Sequence, residues 1–114
     1  MRYMLLLHID ESGWPRLTPA EQEAGLAAYA DFAGALAKAG AFLDTGRLAP
    51  SAGAFTVRTK GGRPVVMDGP YAEAKEQIAG YFLIEAPDDA AARDWAERCP
   101  AAGHGAVEVR ALQS

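Results

Sequence analysis

Two hydrophobic periods alternate along the chain, and glycine or proline clusters separate them. Arg2–Ile9 is a short apolar run that ends in turn signals, the pattern of a buried strand. Thr18-Pro19-Ala20-Glu21 predicts a helix start: threonine caps free N–H groups, proline suits the first helical position and glutamate completes a capping box. Leu26, Tyr29, Phe32, Ala33 and Leu36 then recur at three-to-four spacing on the core side, and Gly40 is the stop. Phe42–Leu48 follows as a strand interrupted by Gly46, and Phe55–Thr59 and Pro64–Met67 flank Lys60-Gly61-Gly62-Arg63 as a hairpin. Gln77–Ala86 is a strongly apolar strand. Asp88 caps a second helix with Ala92, Trp95, Ala96 and Cys99 toward the core, ended by Pro100. Gly105–Leu112 closes as a strand in which Val107 and Val109 alternate with Glu108 and Arg110.

The order β-α-β-(β-β)-β-α-β is that of a ferredoxin-like α+β fold, a split β-α-β with an inserted hairpin and both helices on one face of an antiparallel sheet. The other face is then expected to alternate polar with apolar residues. It does not: Tyr3, Leu5, Leu7 and Ile9 oppose Met4, Leu6 and His8, while Ile78, Gly80, Phe82 and Ile84 oppose Ala79, Tyr81 and Leu83. An uncovered apolar sheet of this size calls for cover. A homodimer packed sheet against sheet meets the need with one self-complementary patch, and a large ligand across the sheet is the rival.

Composition narrows the partners. The 114 residues, 50% hydrophobic and 23% charged, suit one domain spanning 1–114, and no linker or low-complexity tract divides them. A net charge of −4 supplies no basic surplus for direct nucleic-acid or anionic-membrane capture. A lone cysteine, Cys99, excludes an internal disulfide and suits the cytoplasm. The opening apolar run is too short for a signal sequence or a membrane span.

The densest chemistry lies in Asp68-Gly69-Pro70-Tyr71-Ala72-Glu73-Ala74-Lys75-Glu76, next to an apolar strand. As structure it is a turn, with a side-chain acceptor, a permissive φ and a fixed one. As function it is the polar rim of a pocket. With its continuation to Ile78-Ala79-Gly80-Tyr81, the stretch closely resembles the signature of the YCII-related, or DGPF-domain, family. Met1–Leu7, Gly46-Arg47-Leu48, Phe55-Thr56-Val57-Arg58, Trp95–Pro100 and Gly105–Arg110 resemble its flanking segments in order. The resemblance implies a dimeric α+β barrel in a bacterial family, some of whose members are associated with extracytoplasmic-function sigma factors. It further implies a cleft with a His–Asp pair, but the first helix here carries no histidine and presents Tyr29 and Phe32 instead.

The local acid–base candidates are therefore His8, since imidazole changes charge near neutral pH, and Asp68 as the carboxylate that would orient it. The ligand-binding candidates are Gly69, Pro70, Tyr71, Glu73 and Lys75 of the rim, together with Arg47 as a two-point donor for a small anionic ligand and Tyr29. Each has a structural alternative: an interface histidine, a turn aspartate, a solvated arginine, a core tyrosine. His104 is placed on a surface loop. No metal or cofactor is expected: no second histidine has ligand spacing, Gly61-Gly62 lacks a phosphate-loop context, and Ser12, Ser51 and Ser114 lie in no nucleophile elbow. Two function classes follow, a ligand-binding or regulatory module linked to transcription initiation, and a small cofactor-free enzyme using His8 and Asp68 on an anionic substrate.

Overall fold

Residues 1–113 are described by a computed structural model; Ser114 lies outside it. Strand β1 (Arg2–Asp10) is central. It pairs antiparallel with β5 (Glu76–Glu85) on one side and with β6 (Ala106–Ala111) on the other. The edge strand β2 (Phe42–Arg47) pairs antiparallel with β5, giving the order β2-β5-β1-β6. The remaining two strands, β3 (Phe55–Lys60) and β4 (Arg63–Asp68), form a separate two-stranded sheet. The architecture is α+β with antiparallel sheets, compatible with the ferredoxin-like arrangement.

Helix α1 (Pro19–Lys38) starts at the expected capping box: Thr18 Oγ1 accepts the Glu21 N–H at 3.1 Å, and Glu21 Oε1 accepts the Thr18 N–H at 2.9 Å. It stops where Gly40 takes φ 72°, a left-handed conformation that needs no Cβ. Helix α2 (Asp89–Arg98) is capped by Asp88, whose carboxylate accepts the Ala91 N–H at 2.9 Å. Both helices lie on one face, where Phe32 and Leu36 of α1 and Ala92 and Ala96 of α2 bury Tyr3, Leu5, Leu7, Phe82 and Ile84. Phe32 meets Phe82 edge to face at 5.0 Å. Leu26, expected in the core, is exposed instead, because the buried α1 side chains all come from its second half.

Several local expectations are corrected. Ser12-Gly13-Trp14-Pro15 is no open turn but part of a 3-10 helix, Glu11–Arg16, which Asp10 caps through Ser12. Trp14 from this turn lies against Gly25 of α1, where a Cβ would sit 3.4 Å from its ring. Glu11 Oε1 accepts the Ser51 N–H at 2.8 Å and fastens the turn to the chain that leads into β3. Strand β5, expected from Gln77 to Ala86, runs from Glu76 to Glu85.

The face assignment also changes at one point. The β1–β5 register slips between Leu7↔Gly80 and His8↔Ile78, leaving Ala79 as an extra residue in a bulge. Directly opposed residues share a face, so Ile78 joins His8 on the side away from the helices and is 42% exposed. That side also carries Met4, Leu6, Tyr81 and Leu83, all half-buried within the sheet itself.

The β3–β4 hairpin turns on Gly61 and Gly62, at φ 57° and 77°. It leaves Phe55, Val57 and Val66 exposed at 68, 57 and 64%. It stands off as an arm: the Cα radius of gyration is 16.0 Å, where a compact domain of this length has about 13 Å.

Candidate functional site

The chemistry-bearing side chains that meet in one place do so where β1 ends and β5 and β6 begin. His8, Asp10, Ala74, Lys75, Glu76, His104 and Ala106 line an open cleft of about 750 Å³. Backbone packing holds His8 there. It pairs with Ile78 on one side and Ala106 on the other, and a Cβ on Gly105 would strike the His8 carbonyl oxygen, so β6 enters this close only through glycine.

His8 Nε2 lies 2.9 Å from Glu108 Oε1. With the Nε2 proton in place the imidazole donates to the carboxylate, and Nδ1 is left as the nitrogen able to accept a proton or a hydrogen bond. Glu108 faces Leu6 in the β1–β6 register, one diagonal step from His8 on the same side of the sheet. Asp10 Oδ1 accepts the Ser12 hydroxyl at 2.7 Å and the Ser12 N–H at 3.0 Å, and these bonds hold its carboxyl below the usual range, with the nearby Lys75 and Arg16 charges adding to the effect. The cleft thus offers an ammonium, two imidazoles and two carboxylates within one concavity, the Asp10 carboxylate being fixed by Ser12.

The expected residues divide into three places. His8 and Lys75 come together in the cleft. Asp68 does not line it; it ends β4 opposite Phe55, at the root of the arm. Gly69, at φ 109°, donates its N–H to the Ala54 carbonyl at 2.8 Å and accepts the Thr56 hydroxyl at 3.0 Å, closing that root. Pro70 follows, Glu73 folds back near Gly69, and Tyr71 lies under the Arg58 guanidinium at 5.1 Å. Arg47 and Tyr29 form a third group on the helix side. Arg47 stacks on the Trp14 ring at 4.8 Å. The Tyr29 hydroxyl is buried with no hydrogen-bond partner among the described residues, and burial pushes its pKa up to about 12, with Cys99 adding and Arg47 opposing.

Sequence reading missed Glu108 and left His104 aside. Glu108 was legible only as the polar half of an alternating strand; its role follows from the β1–β6 register. A split β-α-β places its first and last strands side by side, so that pairing was the signal available. His104 reaches the cleft because the 3-10 turn Pro100–Gly103 returns the chain to the end of β1. Among the described residues no group of three or more His, Cys, Asp or Glu side chains is placed to hold a metal ion. No helix among them is long and apolar enough to cross a membrane.

A family model described as the YCII-related domain matches residues 1–113. An uncharacterized protein of Rhizobium meliloti (strain 1021) is 35% identical over 116 residues, covering 98% of this chain and 92% of that protein.

Proposed function

The chain belongs to the YCII-related domain family, and on that footing we propose that it is a homodimeric module that binds a small polar molecule in the His8 cleft. The observation that carries this reading is the His8–Glu108 contact of 2.9 Å on the wall of a cleft shared with Lys75, Asp10, Glu76 and His104. Lys75 suits a carboxylate on the ligand, as expected of a small anion, and the free Nδ1 of His8 suits a donor. Asp10 and Glu76 suit a donor elsewhere on it. A small zwitterion answers both sets of charges better than a simple anion.

The homodimer rests on the uncovered sheet face. Met4, Leu6, Ile78, Tyr81 and Leu83 make its centre apolar on the two inner strands, a surface that a second sheet would bury in a dimeric α+β barrel. A single buried cysteine fits a reducing, cytoplasmic setting for that dimer. In this reading a regulatory role at transcription initiation is exercised through ligand occupancy.

The test is calorimetric titration of wild type, His8→Ala and Lys75→Ala with small carboxylic acids and amino acids. Saturable binding lost in both variants supports the reading; binding unchanged in both refutes it. The second reading, an acid–base enzyme without a cofactor, is favoured by the His8–Glu108 pair alone, since a base and its orienting carboxylate are half of a catalytic constellation. Turnover of a bound ligand that disappears in Glu108→Gln while binding persists selects it.

A further inference from the structure

Strand β6 forms one border of the four-stranded sheet, and among the described residues no strand pairs with its outer side. The Leu112 N–H donates to the Arg2 carbonyl at 2.9 Å, and along an antiparallel ladder such bonded positions recur at every second residue. The backbone groups of Arg110, Glu108 and Ala106 therefore turn toward Met4, Leu6 and His8 of β1. The N–H and C=O groups of Val107, Val109 and Ala111 turn outward, in line for another strand. The register with β1 runs unbroken from Ala111 to Ala106, and β6 holds no proline, glycine or bulge. The opposite border differs: β2 is interrupted by a bulge at Leu43 and by Gly46, features that spoil an edge for pairing.

We propose that β6 pairs antiparallel with β6 of a second copy across a twofold axis at Val109, carrying the sheet from one protomer into the other. Three features favour a second copy over any other strand. The first is register. With Val109 set against the partner's Val109, Val107 faces the partner's Ala111, and every outward N–H meets an outward carbonyl. The second is charge. The same register sets Glu108 opposite the partner's Arg110 and Arg110 opposite the partner's Glu108, at the non-bonded positions where facing side chains come closest. The strand is its own electrostatic complement, and among the described residues Arg110 has no ion pair within its chain. The third is apolar contact: Val109 lies opposite Leu5 on the helix side, yet it is left 38% exposed at the border, where the axis brings the partner's Val109 beside it. This contact is separate from the apolar centre on the inner strands, because its bonds run within the plane of the sheet. It also reaches the cleft. Glu108 Oε1 holds His8 Nε2 at 2.9 Å, and the partner's Arg110 meets the same carboxylate from the far side, so the second copy supplies a positioning residue for the pair.

The experiment uses the full chain in analytical ultracentrifugation, with circular dichroism as the folding control. Val109→Pro removes one outward N–H and no bond to β1, and an edge strand accepts proline at such a position. Position 109 points away from the open sheet face, so a face-to-face dimer is left intact. The expected result is a variant assembly half the mass of the wild type. A variant of 12.0 kDa makes the edge the sole self-contact and removes the face-to-face dimer; a variant of twice that mass keeps both. Equal masses for variant and wild type, or a wild type of 12.0 kDa, overturn the edge pairing. Should Val109→Pro lose its fold, charge supplies the same test. Arg110→Glu sets like charges across the axis and is expected to raise the dissociation constant of the edge contact by at least roughly tenfold. The double exchange Glu108→Arg/Arg110→Glu restores complementarity and is expected to restore assembly. An Arg110→Glu chain that assembles like wild type, or a double variant as weak as the single one, overturns the proposal.

Discussion

Replacing Gly80 by alanine tests how closely β2 and β5 approach, and the outcome can be worked from the backbone. Gly80 is buried in β5, and a Cβ placed on it would lie 2.7 Å from the Gly46 carbonyl oxygen and 3.6 Å from the Arg47 Cα. The first separation is about 0.8 Å short of the ~3.5 Å at which non-bonded heavy atoms rest. The obstacle is backbone, so no rotamer change relieves it. Relief requires the edge strand β2 to move away from β5, loosening the pairs Gly46↔Tyr81 and Arg47↔Gly80 and the 2.9 Å bond from the Leu48 N–H to the Ala79 carbonyl. Overpacking of this kind costs about 1–3 kcal/mol. Alanine returns about 0.5–1 kcal/mol by restricting the unfolded chain, so the net expectation is a loss of about 1–2 kcal/mol. Gly34→Ala is the internal control. It lies in α1 with nothing within 4 Å of a built Cβ, and the same exchange there gains about 0.5–1 kcal/mol of helix stability. Urea unfolding at one fixed protein concentration, followed by Trp14 and Trp95 fluorescence, compares the two. A Gly80→Ala protein as stable as wild type, or more so, would refute the close-approach reasoning.

Leu36→Ala, which empties a fully buried site between α1 and the sheet, is expected to cost about 3 kcal/mol in the same assay. Tyr29→Phe removes a buried hydroxyl that has no partner, so it is expected to raise stability by up to about 1 kcal/mol, against the usual sign for losing a tyrosine hydroxyl. Because burial pushes the Tyr29 phenol up to about 12, its contribution is present below the free value of 10.0 and is lost as pH rises toward that raised value; the variant lacks this alkaline loss in thermal melts. The Glu21 carboxyl is held below its ordinary value by the Thr18 N–H and hydroxyl, so its stabilisation is present above the unfolded pKa and fades as pH falls through the folded one. Thermal melts from about pH 5 to pH 3 are expected to fall less steeply in Glu21→Gln than in wild type.

What the sequence made legible was whatever depends on neighbours along the chain. The capping box at Thr18 and Glu21, the Gly40 stop, the Asp88 cap and the Gly61-Gly62 hairpin are local, and each fell where its chemistry required. The core stripes of α1 and β1 were legible for the same reason, apart from Leu26, whose burial depends on where the sheet ends rather than on helical period. Features that depend on register were not legible. A one-residue bulge at Ala79 carried Ile78 to the opposite face, and no composition signal marks it. The Glu108 partner of His8 came from a strand a hundred positions away, while the nearer and more conspicuous Asp68 went to the arm.

The signature segment is a connector whose last residues also line the cleft. Its first part, Asp68-Gly69-Pro70-Tyr71, closes the root of the arm through Ala54, Thr56 and Arg58. Its last part, Ala74-Lys75-Glu76, is a wall of the cleft. Between them Gln77 donates from Nε2 to the Ala72 and Ala74 carbonyls, both at 3.0 Å, and so ties the connector to the first residues of β5. Lys75 therefore has its backbone fixed from two sides, by the arm root and by the sheet. The density of ionisable groups that suggested a single site is accounted for by two adjoining jobs: the glycine, proline and aromatic residues set the angle at which the arm leaves, and the charged residues after them face the cleft.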